Sequence, residues 1–253
     1  MMTIKWPDYF SKRSDNICGS QIRQYFALTE KPEVISFAGG FPGNDFFPNR
    51  EIARALKALM HSKSKQALQY GPTEGSFELR TYLVQKMQKT SVITNSENII
   101  ITDGSQQGLD LLSRLLVNPG DPVLVEEPSY LGGISAIKSY GGLTVGITLD
   151  EEGPNPAEME KKIVTLNKSG KKVKVFYTVP NFQNPTGTTT SHRRRQEILK
   201  IAERYNLLII EDDPYGELYY NHAAPTSYKA LDKDDRFIYL GSYSKVLIPG
   251  IRI

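Results

Sequence analysis

The chain has 253 residues, of which 39% are hydrophobic and 23% charged, and a net charge of +3. That length suffices for one large α/β domain or a domain and a half with a substantial core, and so small a net charge gives no case for nucleic acid or an anionic membrane as partner. A single cysteine, Cys18, excludes an intramolecular disulfide framework and fits a reducing compartment.

The opening MMTIKWPDYFSKR lacks the apolar core of a secretory signal. No run approaches the ~18 apolar residues of a membrane span, so a cytoplasmic protein is expected. His61, His192 and His222 lie far apart with no Cys or His at ligand spacing, and no metal site is expected. The basic run KSGKKVK at 168–174 reads as a solvated turn between a helix and a strand.

From there the elements alternate. Residues 98–102 read as a short buried strand, and Gly104-Ser105 opens a helix with apolar positions Leu109, Leu112, Leu115 and Leu116. The run NPGD at 118–121 ends that helix. Strands follow at 122–126, 144–148, 173–179, 207–211 and 237–240. Helices are expected at 131–139, at about 156–166 and, strongly basic, at 191–205. Strands spaced by helices imply βαβ units, right-handed crossovers and a largely parallel sheet. Ligands in such sheets bind beyond the carboxyl ends of the strands.

Four strand ends carry suggestive chemistry. Asp103-Gly104-Ser105-Gln106-Gln107 is a glycine turn into a helix N-terminus, where unpaired N–H groups and the dipole favour a phosphate. A simple N-cap at Ser105 accounts for the same residues. The turn matches neither a Walker A loop nor a GxGxxG fingerprint, so ATP and NAD are unsupported. Pro180-Asn181-Phe182-Gln183-Asn184-Pro185-Thr186-Gly187 is a rigid turn. In Glu211-Asp212-Asp213-Pro214-Tyr215, a carboxylate ending an apolar strand needs a cation or strong hydrogen bonds. The local run has no Arg or Lys; a protonated ring nitrogen would serve, and a helix-capping aspartate is the alternative. Lastly, Gly241-Ser242-Tyr243-Ser244-Lys245 places a lysine after a strand, with Arg252 seven positions on.

Taken in order, Ser36-Phe37-Ala38-Gly39-Gly40, Tyr70-Gly71, GSQQ, NPTG, EDDPY and SYSK with Arg252 resemble the class I aminotransferases. These are fold type I pyridoxal 5′-phosphate (PLP) enzymes, and the 2-aminoadipate and kynurenine branch is the nearest in pattern. The resemblance spans essentially the whole chain. It implies an α/β fold of PLP-dependent transferase type I, a large domain with a mostly parallel sheet flanked by helices. Residues 1–45 would form a segment covering the active site and 46–253 the PLP-binding domain.

The resemblance also implies roles. Lys245 would bond the PLP aldehyde and move a proton between Cα and C4′, which requires an appreciably unprotonated amine. Asp212 would hold the pyridine nitrogen protonated. Asn184 and Tyr215 would donate to the phenolic oxygen. Ser105, Gln106, Ser242, Ser244 and Arg252 would hold the phosphate. Tyr130 would stack on the ring, and Tyr70 would reach the phosphate of a neighbouring subunit in a homodimer. Gly39, Gly40 and Asn184 would line the α-carboxylate pocket. Arg23 would read an acidic side chain, as in 2-aminoadipate or glutamate, or swing aside for an aromatic substrate; an exposed helix arginine is the alternative.

The family continues past Arg252 into a smaller domain that carries the main α-carboxylate arginine, and this sequence does not contain it. Amino acids and 2-oxo acids are the implied substrates. The rival functions are another fold type I PLP reaction, an inactive truncated PLP-binding chain, and the effector domain of an aminotransferase-like transcription regulator.

Overall fold

Apolar runs of four to eight residues pair as the alternation predicts. The computed structural model describes residues 4–16, 33–35, 40–220 and 225–253. The strands are β1 (Pro122–Glu127), β2 (Leu143–Asp150), β3 (Gly153–Pro154), β4 (Val175–Thr178), β5 (Leu208–Asp213) and β6 (Phe237–Gly241). They form one sheet in the order β3-β2-β1-β4-β5-β6. Only the short β2–β3 pairing is antiparallel.

The longer helices are α1 (Asn49–Ser62), α2 (Phe77–Gln88), α3 (Ser105–Leu116), α4 (Leu131–Ser139), α5 (Pro156–Lys168) and α6 (His192–Tyr205). Their starts are locally encoded. Asn155 accepts from the Glu158 N–H at 3.0 Å ahead of α5, with Pro156 at the first helical position. Ser191 accepts from the Arg194 N–H at 3.1 Å ahead of α6.

Two apolar layers sandwich the sheet. Met159 and Ile163 of α5 and Ile198, Ile201 and Ala202 of α6 pack with Leu124, Ile147, Phe176 and Ile209. On the other side Leu109 of α3 and Ala136 and Ile137 of α4 pack with Val123, Val125, Val175, Tyr177 and Ile210. Adjacent strand residues point to opposite faces. Ile209 and Ile210 therefore join different layers, and the same alternation sends Asp212 toward the α3/α4 layer while Glu211 and Asp213 face α5/α6. Three consecutive acids thus acquire different partners.

Several expectations need correction. Residues 98–102 are not a strand. The Ile101 N–H donates to the Glu74 carbonyl at 3.0 Å, and Ile100 is 55% exposed. A strand exists only through a ladder partner, and among the described residues none lies beside this segment. Leu115, one of the helix's apolar positions, is 78% exposed, because α3 turns only its Gly108, Leu109 and Ser113 face fully inward. The expected strand at 173–179 is a strand only over β4, although Val173 and Val179 are buried at its ends. Helices α1 and α2 lie in a stretch to which the sequence reading assigned no element.

Candidate active site

The strand order turns back on itself at β1: β2 lies on one side of it and β4 on the other. At such a switch point the connections diverge and leave a crevice at the carboxyl ends of the strands. Tyr130 follows β1, Asn184 follows β4, Asp212 and Tyr215 lie at and after the end of β5, and Ser242, Ser244, Lys245 and Arg252 follow β6, while Ser105 and Gln106 open α3.

The loop after β6 is closed on itself. The Tyr243 N–H and the Ser242 hydroxyl both donate to the Ile253 carbonyl, at 2.8 and 3.2 Å, and Ser242 Oγ accepts from the Ser244 N–H at 3.1 Å. Half-buried Lys245 donates from Nζ to the Gly40 carbonyl at 2.7 Å and lies 5.9 Å from the centre of the Tyr215 ring. Partial burial lowers its pKa, which is the direction a nucleophilic amine needs.

Arg252 reaches back over the start of α3. Its Nη2 donates to the Asp103 carbonyl at 3.1 Å and its Nη1 to the Pro249 carbonyl at 3.2 Å. Gly104 has φ +72°, and a Cβ there would sit 2.6 Å from Arg252 Nη2. Only glycine combines that backbone angle with so close an approach. The guanidinium is thereby set beside the first turn of α3, where Ser105 and Gln106 lie and the main-chain N–H groups lack intrahelical acceptors. The Gln106 side chain is already engaged: Nε2 donates to the Gly132 carbonyl at 3.1 Å, and Oε1 accepts from the Tyr130 hydroxyl at 3.3 Å. Gln106 therefore fixes Tyr130 and has its main-chain N–H left for an anion.

Asp212 is 2% exposed. Oδ2 accepts from the Tyr177 hydroxyl at 2.9 Å, and Oδ1 has no hydrogen-bond partner. Burial pushes its pKa up to about 7. Asp213 is fully used: it accepts from Asn181 and from the Gly216 N–H at 2.9 Å each, and from Tyr239 at 3.2 Å. Of the two aspartates, Asp212 is the one with an oxygen left over.

Asn184 follows an anchored residue. Gln183 Nε2 donates to Glu126 at 3.1 Å and to the Pro128 carbonyl at 2.8 Å, while Oε1 accepts from the N–H and hydroxyl of Thr186. Buried Arg195 ties the same turn from below, donating to the Thr190 and Pro180 carbonyls and, at 2.6 Å, to Asn181 Oδ1. Asn184 Nδ2 then meets the Tyr215 hydroxyl at 3.4 Å.

The sequence reading missed Tyr177, Gln183 and Glu126. Glu126 was legible only as a carboxylate inside the apolar run of β1. It is buried against Thr178, the Val179 N–H and Gln183. Tyr70 is 99% exposed on the surface, and Arg23 and Gly39 lie outside the described residues. Among the described residues no cluster of His, Cys, Asp or Glu could hold a metal, and no helix is long and apolar enough to cross a membrane.

Burial also raises the Glu126 pKa to about 7, and this has a measurable consequence. Unfolded, both carboxyls titrate near 4. Between about 4 and 7 the folded chain holds protons that the unfolded chain has released, so this contribution to stability is full below 4 and is lost as pH rises through 7. Carboxylates with lowered pKa, such as Asp150 and Asp232, are already ionised above 5. The melting temperature of the cofactor-free protein should fall by about 5 °C or more between pH 5 and pH 8. A flat or rising profile would contradict the burial of these groups.

The residues present fit PLP. An unpartnered buried carboxylate oxygen suits a protonated ring nitrogen, a helix start with an arginine laid across it suits a phosphate, and a lysine with lowered pKa suits an aldehyde.

Comparison with known proteins agrees. The family profile for aminotransferase class I and II matches residues 33–253. The aromatic-amino-acid aminotransferase 1 of Thermococcus litoralis is 44% identical over 99% of this chain and 60% of its own length. The 2-aminoadipate transaminase of Thermus thermophilus is 37% identical, over 100% and 62%. The crystal structure of Pyrococcus horikoshii kynurenine aminotransferase, a complex with PMP, superposes with a TM-score of 0.92 at 42% identity, covering 98% of this chain and 61% of that one. The chain thus spans about 60% of the length of these relatives. It belongs to the class I and II aminotransferases, with the type I fold and PLP as cofactor.

Proposed function

We propose that the protein transfers an amino group between an amino acid and a 2-oxo acid. The observation that carries this reading is the free Oδ1 of Asp212, buried at the strand ends that also bring in Lys245 and Arg252. Bound PLP supplies an electron sink for the carbanion left when Cα loses its proton.

The chain's own residues would then act as follows. Lys245 would hold the cofactor through its aldehyde and would move the proton at the substrate Cα. Asp212 keeps the ring nitrogen protonated, Asn184 and Tyr215 donate to the phenolic oxygen, and Tyr130 covers the ring. Ser105, Gln106, Ser242, Ser244 and Arg252 hold the phosphate. Residues 46–253 form the cofactor-binding unit and 1–45 its covering segment, and the protein works in the cytoplasm. Tyr70, which projects fully into solvent, serves the phosphate of a second subunit in a homodimer. Gly39, Gly40 and Asn184 face the substrate α-carboxylate.

The amino donor is of the 2-aminoadipate, glutamate or aromatic type, the first two read by Arg23. Arg23→Ala should raise KM for 2-aminoadipate or glutamate by roughly one to two decades, the worth of a charged hydrogen bond, and leave aromatic donors unaffected. Equal effects on both classes would make Arg23 structural. The proposal as a whole is tested by conversion of these donors with 2-oxoglutarate by the complete gene product; absence of turnover with every donor class would overturn it.

A further inference from the structure

Tyr177 sits mid-sheet on β4, in register with Val125 of β1 and Ile210 of β5, and its side chain is fully buried. Its ring lies in the apolar layer with Leu109, Val125 and Ala136. A phenylalanine would fill that volume equally well. What the hydroxyl adds is one bond, to Asp212 Oδ2 at 2.9 Å. Space for the ring comes from α4: a Cβ on Gly133 would lie 2.4 Å from Tyr177 Cε1 and 2.8 Å from its hydroxyl oxygen. Contacts under 3 Å with a ring locked inside a sheet cannot be relieved by a small shift. Gly133 and Tyr177 thus form a matched pair, one residue vacating the room that the other needs to reach the carboxylate.

We propose that Tyr177 is a positioning residue for the reaction: it holds one oxygen of Asp212 so that the other faces the cofactor's ring nitrogen, and Gly133 is glycine to admit it. This rests on the proposed function, because the oxygen left over is the one assigned to PLP. A carboxylate on a strand turns about its Cβ–Cγ bond, and a donor on one oxygen fixes the plane of the other. Burial pushes the Tyr177 pKa well above its usual value, with the Asp212 and Glu126 carboxyls adding to the shift. Its hydroxyl therefore remains a donor throughout the working pH range.

The test is Tyr177→Phe in the complete gene product, with PLP titrated by its visible absorbance. The PLP dissociation constant should rise roughly 10- to 100-fold, the range for losing a hydrogen bond to a charged group. The absorbance maximum of the bound cofactor should shift, and kcat should fall with little change in KM for the amino donor. The same substitution in an Asp212→Asn background should add nothing further, because the two changes remove one interaction. Gly133→Ala should reproduce the spectral shift in a folded protein; if that variant does not fold, Tyr177→Phe decides alone.

A variant with unchanged PLP affinity and spectrum, or effects fully additive with Asp212→Asn, would overturn the positioning role and leave the aminotransferase reading standing. Failure of the unaltered protein to bind PLP would overturn both.

Discussion

Lys245→Ala is expected to abolish transamination, lowering kcat/KM by roughly four decades or more. General acid–base transfer by a positioned side chain is worth ~10²–10⁴-fold, and this lysine is also the proposed attachment point, so the covalent contribution would go with it. Among the described residues the geometry gives no substitute. Lys86, a lysine held near the site loops, is tied to Glu217 at 2.6 Å and lies over the Tyr243 ring. Its pKa is raised by that carboxylate, the wrong direction for a nucleophile. Lys245→Ala should leave the fold intact, because among the described residues the lysine's hydrogen bond is to the Gly40 carbonyl alone. Steady-state turnover together with a thermal melt checks both halves of the expectation. Residual activity within a hundredfold of the unaltered protein would show that another amine does the chemistry.

Asp212→Asn comes next in size, with a loss of about three decades in kcat, or ~4 kcal/mol. A neutral amide cannot balance a protonated ring nitrogen in a water-poor site, and its N–H₂ would meet the nitrogen as a second donor. The fold should survive. Removing a buried charge with an unpartnered oxygen relieves desolvation cost, and the melting temperature near pH 8 should rise rather than fall. Asp213→Asn should behave in the opposite way. Its carboxylate oxygens are occupied by Asn181, Tyr239 and the Gly216 N–H, so the penalty falls on stability and on the loop carrying Tyr215. If Asp213→Asn removed the activity and Asp212→Asn preserved it, the two roles would have to be exchanged.

Much of this was readable from the sequence because strand ends announce themselves. An apolar run that stops at EDD or SYSK locates the carboxyl edge of a sheet, and the βαβ alternation makes those edges converge. Asp212 and Asp213 were distinguishable only by resemblance until the sheet showed which face each occupies. The Tyr177–Asp212 bond joins residues thirty-five positions apart on neighbouring strands. Register decides it, and register is not written in either segment. Gly133 is equally silent alone, since it gains meaning only once the ring beside it is known. Residues 98–102 show the converse failure. Asn98-Ile99-Ile100-Ile101-Thr102 has strand composition, but a ladder needs a neighbour, and composition says nothing about the neighbour. Helix α2 escaped notice because its apolar residues are spread around the helix rather than gathered on one stripe, whereas α1 carries a clear amphipathic period that the sequence did offer.

The central claim is that the loop after β6 presents the amine that holds the cofactor. Incubating the protein with PLP, reducing with borohydride and mapping the labelled peptide tests it most directly. The account predicts a single pyridoxyl group on Lys245, lost in Lys245→Ala and diminished when Arg252 is changed to Ala, because the phosphate then lacks its guanidinium. A reproducible label on Lys86, Lys172 or Lys200 in place of Lys245 would contradict it.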